Sequence, residues 1–428
     1  MSIRIACALC ACLLAVSAPP ALASVGDEPA AAPLSLREAV DAAMRGNPEL
    51  RSFAFDLRAQ QARGEAAVLR PPLQLGLELE DVLGSGRFRG ADAAQATFAL
   101  SQVIELGAKR EARVAAAQAG ADVLQVERQA RQLDVLAEVS RRYIHVASDQ
   151  ALLQLTRLAT ALARQTVAAT QQRVDAAKAP TVELRRARVA LARAEVEEEH
   201  AEHELLTSRH NLAAMWGETT PAFGEVSADL FRLPQPAAFE VLAAALANNP
   251  DAQRYATEAR LRDAELRLAE SRRRSDLGLS AGLRRFEEGS EQALVFGMSM
   301  PLFASRRAAP EIAEAQSLRE RVDADGEAHR VRLRARLLEL HQELVHAVTE
   351  AETLRDRVLP EMEAALEETR YAYQRGRYGY LEWAEAQRER VDVQRALIEA
   401  AANAHRYQTE IERLTGVALP AVAAGDTP

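Results

Sequence analysis

"SQVIELGAKREAR", residues 101–113, opens as a strand and closes as a helix. Val103 and Ile104 end an alternating stretch, Gly107 breaks it, and a basic, alanine-rich segment follows. From Ala108 to Ala177 no proline interrupts the helical pattern. At 1.5 Å per residue, about seventy residues make a rod of roughly 105 Å, where an ordinary helix has about three turns. Leu136, Val139, Tyr143, Val146, Gln150 and Leu153 recur at alternating spacings of three and four. That is the spacing of coiled-coil packing. A strand therefore feeds directly into a long rod.

Upstream of the junction the period is two. Leu73, Leu75, Leu77 and Leu79 point one way, and Gln74, Gly76, Glu78 and Glu80 the other. This pattern predicts a strand with one apolar and one polar face. "DVLGSGRFRGADAA" (81–94) is the loop, and a second strand runs from about Ala94 to Ile104. Before the hairpin, a short helix begins near Leu36 with Ser35 as its cap and breaks at Asn47-Pro48. A longer helix then runs to Leu69 and stops at Arg70-Pro71-Pro72. After the rod, the chain turns at Lys178-Ala179-Pro180-Thr181 and returns through 182–216.

The same grammar occurs twice. Asn47-Pro48 recurs as Asn249-Pro250, Leu75-Gly76-Leu77 as Leu277-Gly278-Leu279, and Phe98 and Ser101 as Phe296 and Ser299. Trp216-Gly217 matches Thr415-Gly416. A period of about two hundred residues is a duplicated subdomain rather than a solenoid. The second hairpin is predicted at 276–287 and 292–303, with Leu294, Phe296, Met298 and Met300 as its apolar row. Its helical stretch covers 304–373, turns at "RGRYGY" (375–380) and returns through 381–415. The expected organisation is thus 24–217, a connection at 218–238, 239–416 and a tail at 417–428, with hairpins at 70–104 and 276–303.

Composition narrows the class. Aromatic residues are 4% of the 428, and the formal charge is -9 with a pI near 5.6. An acidic chain of long helices does not fit a nucleic-acid binder, which presents a basic face. No nucleophile elbow, phosphate loop or paired-cysteine motif suggests an enzyme. "MSIRIACALCACLLAVSAPPALA", residues 1–23, reads as a secretory signal cut before Ser24. Removing it takes Arg4 and leaves a formal charge of -10, and it takes all three cysteines, Cys7, Cys10 and Cys12. A lipid-attachment reading of Leu9-Cys10-Ala11-Cys12 stays open, although its apolar stretch is unusually short. Beyond residue 24 no run reaches the roughly twenty apolar residues of a membrane helix. Strands of about ten residues suit a tilted bilayer crossing instead. Four of them cannot close on themselves.

From about 35 to 417 this arrangement resembles the TolC-type outer-membrane efflux factors. The resemblance rests on the doubled grammar, the Asn-Pro pairs, the junctions "LSQVIELGAKREAR" (100–113) and "MSMPLFASRRA" (298–308), and the return helix 375–416. "LELED" (77–81), a glycine-containing loop and the first junction are most similar to the heavy-metal branch, the CzcC-like proteins. Ala108 stands where that branch often has a second glycine, and Ala177 aligns with Gly376.

The resemblance implies a mainly α fold with a small β part. Duplicated helical hairpins from three chains would form a periplasmic α-barrel, and four strands per chain a twelve-stranded β-barrel in the outer membrane. It implies a conduit without cofactor or resident metal. Its expected partners are two further copies, outer-membrane lipid, a periplasmic adaptor and a proton-driven inner-membrane exporter of the resistance-nodulation-division type. Three readings are carried forward: a metal-cation efflux channel, a TolC-like channel for drugs or secreted proteins, and a periplasmic coiled-coil protein with no pore.

Glu382 and Glu385 match the family's acidic constriction and, three apart, share one helix face. In a trimer they would stack as two carboxylate rings, a pore gate favouring cations. Lys178, Pro180 and Thr181 at one turn, with Gly376, Arg377 and Tyr378 at the other, are the expected adaptor-docking tips. Tyr371, Tyr373, Tyr378, Tyr380 and Trp383 crowd the same end, to pack a closed tip or to bind the adaptor. "EEEHAEHE" (197–204) puts His200 and His203 near carboxylates, a pattern read here as a solvated face rather than a metal site.

Overall fold

The computed structural model describes residues 32–416. The export segment 1–23 and the tail 417–428 lie outside the described residues. Two copies of one arrangement follow each other. The first contains α1 (Leu36–Gly46), α2 (Pro48–Val68), β1 (Gln74–Glu80), β2 (Gln95–Ile104), α3 (Lys109–Asp175) and α4 (Thr181–Ala213). The second contains α5 (Phe239–Ala245), α6 (Pro250–Ser271), β3 (Leu277–Phe286), β4 (Gln292–Ser299), α7 (Ala304–Thr353), α8 (Leu359–Gln374) and α9 (Tyr380–Thr415). At Ser35 the predicted cap is a full capping box, with Ser35 Oγ accepting from Glu38 N and Glu38 Oε2 from Ser35 N.

The four strands form one antiparallel sheet in the order β1-β2-β3-β4. Register aligns the apolar rows across all of it. Leu77 pairs with Phe98, Phe98 with Leu283 and Leu283 with Leu294. One row over, Leu75, Leu100, Ala281 and Phe296 line up in the same way. Leu75, Phe296 and Met298 are each three-quarters exposed. The opposite face carries Glu78, Thr97 and Arg284, and nearer the helices Gly76, Ala99 and Gly282. Among the described residues nothing covers the apolar face.

The quoted junction joins sheet to rod. Gly107 turns at φ +80°, and a Cβ there would lie 3.0 Å from the Arg274 Cβ and 3.1 Å from the Ser271 carbonyl. Ala108 follows at φ +59° and Phe303 takes the same conformation at +64° in the second copy, each beside the first residue of its long helix. The basic residues have structural jobs. Lys109 Nζ bonds Asp276 Oδ1 across the repeats at 2.6 Å. Arg113 pairs with Glu105 at 2.6 Å and donates to the Ala67 and Leu69 carbonyls, closing the exposed end of α2. The Arg113 hydrogen bonds hold the Glu105 carboxyl below its ordinary range.

The Asn-Pro pairs splice helices end to end. Asn47 Oδ1 accepts from the Glu49 and Leu50 amides and caps α2, while its Nδ2 donates to the Met215 carbonyl at 2.9 Å. Asn249, fully buried, repeats this on α6. It accepts from the Asp251 amide at 2.6 Å and donates to the Arg413 and Leu414 carbonyls at 3.0 and 2.6 Å. The end of α4 therefore meets the start of α2, and the end of α9 the start of α6, with Gly217 and Gly416 turning left-handed at the joints. A carboxamide serves both ends, since it offers an acceptor to one helix and donors to the other.

Segment 218–238 is packed rather than loose. Val226 and Leu230 lie in the core with Val139, Tyr143 and Leu212. Gln150 clasps the Val226 backbone from both sides, and His405 Nε2 lies 3.1 Å from the Leu230 carbonyl. The second long helix departs from the expected uniform stretch over 304–373. It opens into a π turn at Leu354–Val358 between α7 and α8. Pro360 lacks an amide hydrogen and its ring crowds the preceding turn, so the wider turn relieves it.

At an ordinary helix cap aspartate is as good as asparagine. At Asn249 it is not, because a carboxylate would face two carbonyl oxygens in a buried site. Asn249→Asp is expected to destabilise the protein by roughly 3 kcal/mol near neutral pH, read from denaturation of detergent-solubilised protein. A variant as stable as the parent would refute the splice.

Candidate functional site

The two helical turns come together at the end opposite the sheet. At the first, Ala177 N bonds the Val174 carbonyl and Lys178 N the Arg173 carbonyl, at 2.9 and 2.8 Å. At the second, Gly376 N bonds Tyr373 and Arg377 N bonds Ala372, at 3.0 and 2.9 Å. The turns are the same device. Gly376 has φ +73° and Ala177 φ +55°, so the alanine adopts the left-handed conformation at a cost of roughly 1 kcal/mol.

Arg173 pins the turns together. Its guanidinium lies 4.4 Å over the Tyr373 ring, donates to the Tyr373 carbonyl and reaches the Lys178 carbonyl at 3.4 Å. Tyr373 is 1% exposed and stacks on Trp383 with ring centroids 4.7 Å apart. Its hydroxyl sits 3.4 Å from both Thr170 Oγ1 and Glu183 Oε2. Burial pushes the Tyr373 and Tyr380 phenols above their ordinary range. One turn along α9, Gln387 Nε2 donates to Thr166 Oγ1 at 3.1 Å. The aromatic cluster therefore divides: Tyr373, Tyr380 and Trp383 are buried in the pin, while Tyr371 and Tyr378 are half exposed.

Glu382 and Glu385 lie in the first turns of α9, both exposed, beside the buried Trp383 and Ala386. Neither forms an ion pair with another described residue. Lys178, Pro180, Thr181, Gly376, Arg377 and Tyr378 are also exposed, on the two adjoining turns. The fold thus gathers all eight at one end. His200 and His203 are exposed on α4, and among the described residues no group of three or more side chains is placed to hold a metal ion. Sequence reasoning missed Arg173, whose role depends on a ring 200 positions away.

Residues 39–218 match the family model described as outer membrane efflux protein. Over that segment the chain is similar to the outer-membrane efflux proteins. The second repeat has the same order of elements, with α7 and α8 in place of α3. The chain as a whole has a further relative. It is 28% identical over 387 residues to the cobalt-zinc-cadmium resistance protein CzcC of Cupriavidus metallidurans, covering 90% of this chain and 91% of that one. Among solved structures it is similar to the outer membrane channel CmeC of Campylobacter jejuni, with TM-score 0.71, 12% identity and coverage of 94% and 93%. The outer membrane protein VceC of Vibrio cholerae matches with TM-score 0.68, 18% identity and coverage of 89% and 96%. No helix among the described residues is long and apolar enough to cross a membrane.

The family this chain matches and its structural neighbours are channel proteins and not enzymes. Its fold is that of the trimeric TolC-like channels, in which three chains of four strands close a twelve-stranded barrel and their helices extend into the periplasm. The apolar rows of the sheet are the lipid-facing band of that barrel.

Proposed function

We propose that this outer-membrane channel exports divalent heavy-metal cations. The observation that carries the substrate class is the similarity to the cobalt-zinc-cadmium resistance protein, which runs through nearly the whole of both chains. In this reading residues 24–217 and 239–416 are the two repeats of one protomer, 218–238 connects them and 1–23 is the export signal. The channel docks on a periplasmic adaptor fed by a proton-driven inner-membrane exporter of the resistance-nodulation-division type. Lys178, Pro180, Thr181, Gly376, Arg377 and Tyr378 form the docking tip, since all six are exposed on adjoining turns that Arg173 holds in place.

Glu382 and Glu385 form the gate. Around a threefold axis their shared, unpaired face gives six carboxylates at the narrow end, a ring pair that attracts cations and repels anions. Repulsion among them is offset by bound cations or by hydrogen bonds.

Deleting the gene is expected to sensitise cells to zinc, cobalt or cadmium more than to hydrophobic drugs, measured as minimum inhibitory concentrations. The reverse profile would assign the channel to drugs. In planar bilayers, Ala at both Glu382 and Glu385 should remove cation preference from single channels and raise conductance. Gln at both should alter preference with little change in size, and higher salt should weaken the wild-type preference. Unchanged selectivity and conductance would place the constriction elsewhere.

A further inference from the structure

The barrel-facing side of the sheet has a second, separate charge pattern. On the half near the helices the inward row is small and uncharged: Gly76, Ala99, Ser101, Ser280, Gly282 and Gly297. Charge appears only towards the loop 81–94, at the end far from the helices. There Arg284 of β3 reaches across two strands. Its Nη2 lies 2.8 Å from Glu80 Oε2 of β1, its Nε donates to Thr97 Oγ1 at 2.8 Å and its Nη1 to Gln95 Oε1 at 3.3 Å. Gln95 in turn donates to Asp81 Oδ2 at 2.8 Å. Glu80 is therefore neutralised within the chain.

Glu78 is not. It sits on the same face, in register with Thr97 and Arg284, and is exposed with no ion-pair partner among the described residues. β1 is an edge, and barrel closure pairs it with the β4 of the next chain. The inward row of β4 is Ala293, Val295, Gly297 and Ser299, which offers no cation. The fixed inward charges of the strands thus sum to one unpaired carboxylate per chain.

We propose that Glu78 forms an ion-selective collar at the outer mouth of the pore, and that Arg284 limits its strength by cancelling Glu80. The inference rests on the channel reading and is independent of the gate. Three Glu78 carboxylates around the mouth favour cation exit and resist anion entry, as rings of one sign do. Without Arg284 the collar would hold six unpaired carboxylates in place of three and retain cations more strongly. The arginine therefore acts as a specificity-setting residue whose contacts also lock three strands.

The test is the reversal potential of purified wild-type and variant trimers in planar bilayers under a potassium chloride gradient. Glu78→Gln is expected to lower the cation-to-anion permeability ratio about twofold at low salt, with less effect at high salt. Arg284→Gln is expected to raise the ratio. The exchange pair Glu80→Arg with Arg284→Glu keeps both the contact and the net charge, so it should reverse at the wild-type potential. Glu78→Gln channels that reverse at the wild-type potential would overturn the collar. An exchange pair that shifts the potential as far as Arg284→Gln does would overturn the neutralising role of Arg284. Wild-type trimers that give no conductance would overturn the channel reading itself.

Discussion

A four-stranded antiparallel sheet with two open edges and an uncovered apolar face is the constraint on which everything else depends. In water such a sheet would stick to any strand it met, and in lipid its unpaired edge amides and carbonyls would each cost several kcal/mol. Closure with further copies removes both problems at once. The alignment of Leu77, Phe98, Leu283 and Leu294 in one row across all four strands makes the lipid-facing band continuous within each chain. A soluble sheet of this size would turn that row inward against its own helices.

The helices inherit their direction from that barrel. Gly107 and the left-handed residues Ala108 and Phe303 turn strands into helices across only four residues at each junction, and Lys109 and Arg113 tie the first junction to the second repeat and to α2. The Asn47 and Asn249 joints then make long and short helices into continuous columns. A column built from two pieces needs both new helix ends satisfied in a buried place. One carboxamide does this at each joint. Rigidity along the columns fixes where the far turns lie, so the tip geometry is a consequence of joints some distance above it.

Much of this was visible in the sequence because it rests on local periodicity. The alternation of Leu73 to Leu79, the glycine at 107 and the unbroken run after Ala108 each state their own structure, and the duplication states it twice. The role of Asn47 was not visible, since its donor meets a carbonyl 168 residues away. Pro360 stood in plain view, yet a smooth helix was expected through it, and the structure widens to a π turn instead. At the tip the aromatic crowding was legible, but which rings are buried depends on Arg173 from the other repeat. Segment 218–238, rich in proline and read as a connection, carries core residues because its Val226 and Leu230 fill space between the two repeats.

The claim that the chain spans the outer membrane by closing its sheet with neighbouring copies is tested most directly at the two edges. All three native cysteines lie at or before Cys12, so introduced ones report cleanly. Cysteines placed on β1 at Leu75, Leu77 or Leu79 can be combined with cysteines on β4 at Leu294, Phe296 or Met298 and oxidised in isolated outer membranes. The structure predicts that pairs brought together by the closed register give a covalent trimer in denaturing gels, while single cysteines give none. A chain that remains monomeric with every pair, or that is recovered without detergent, would contradict the barrel.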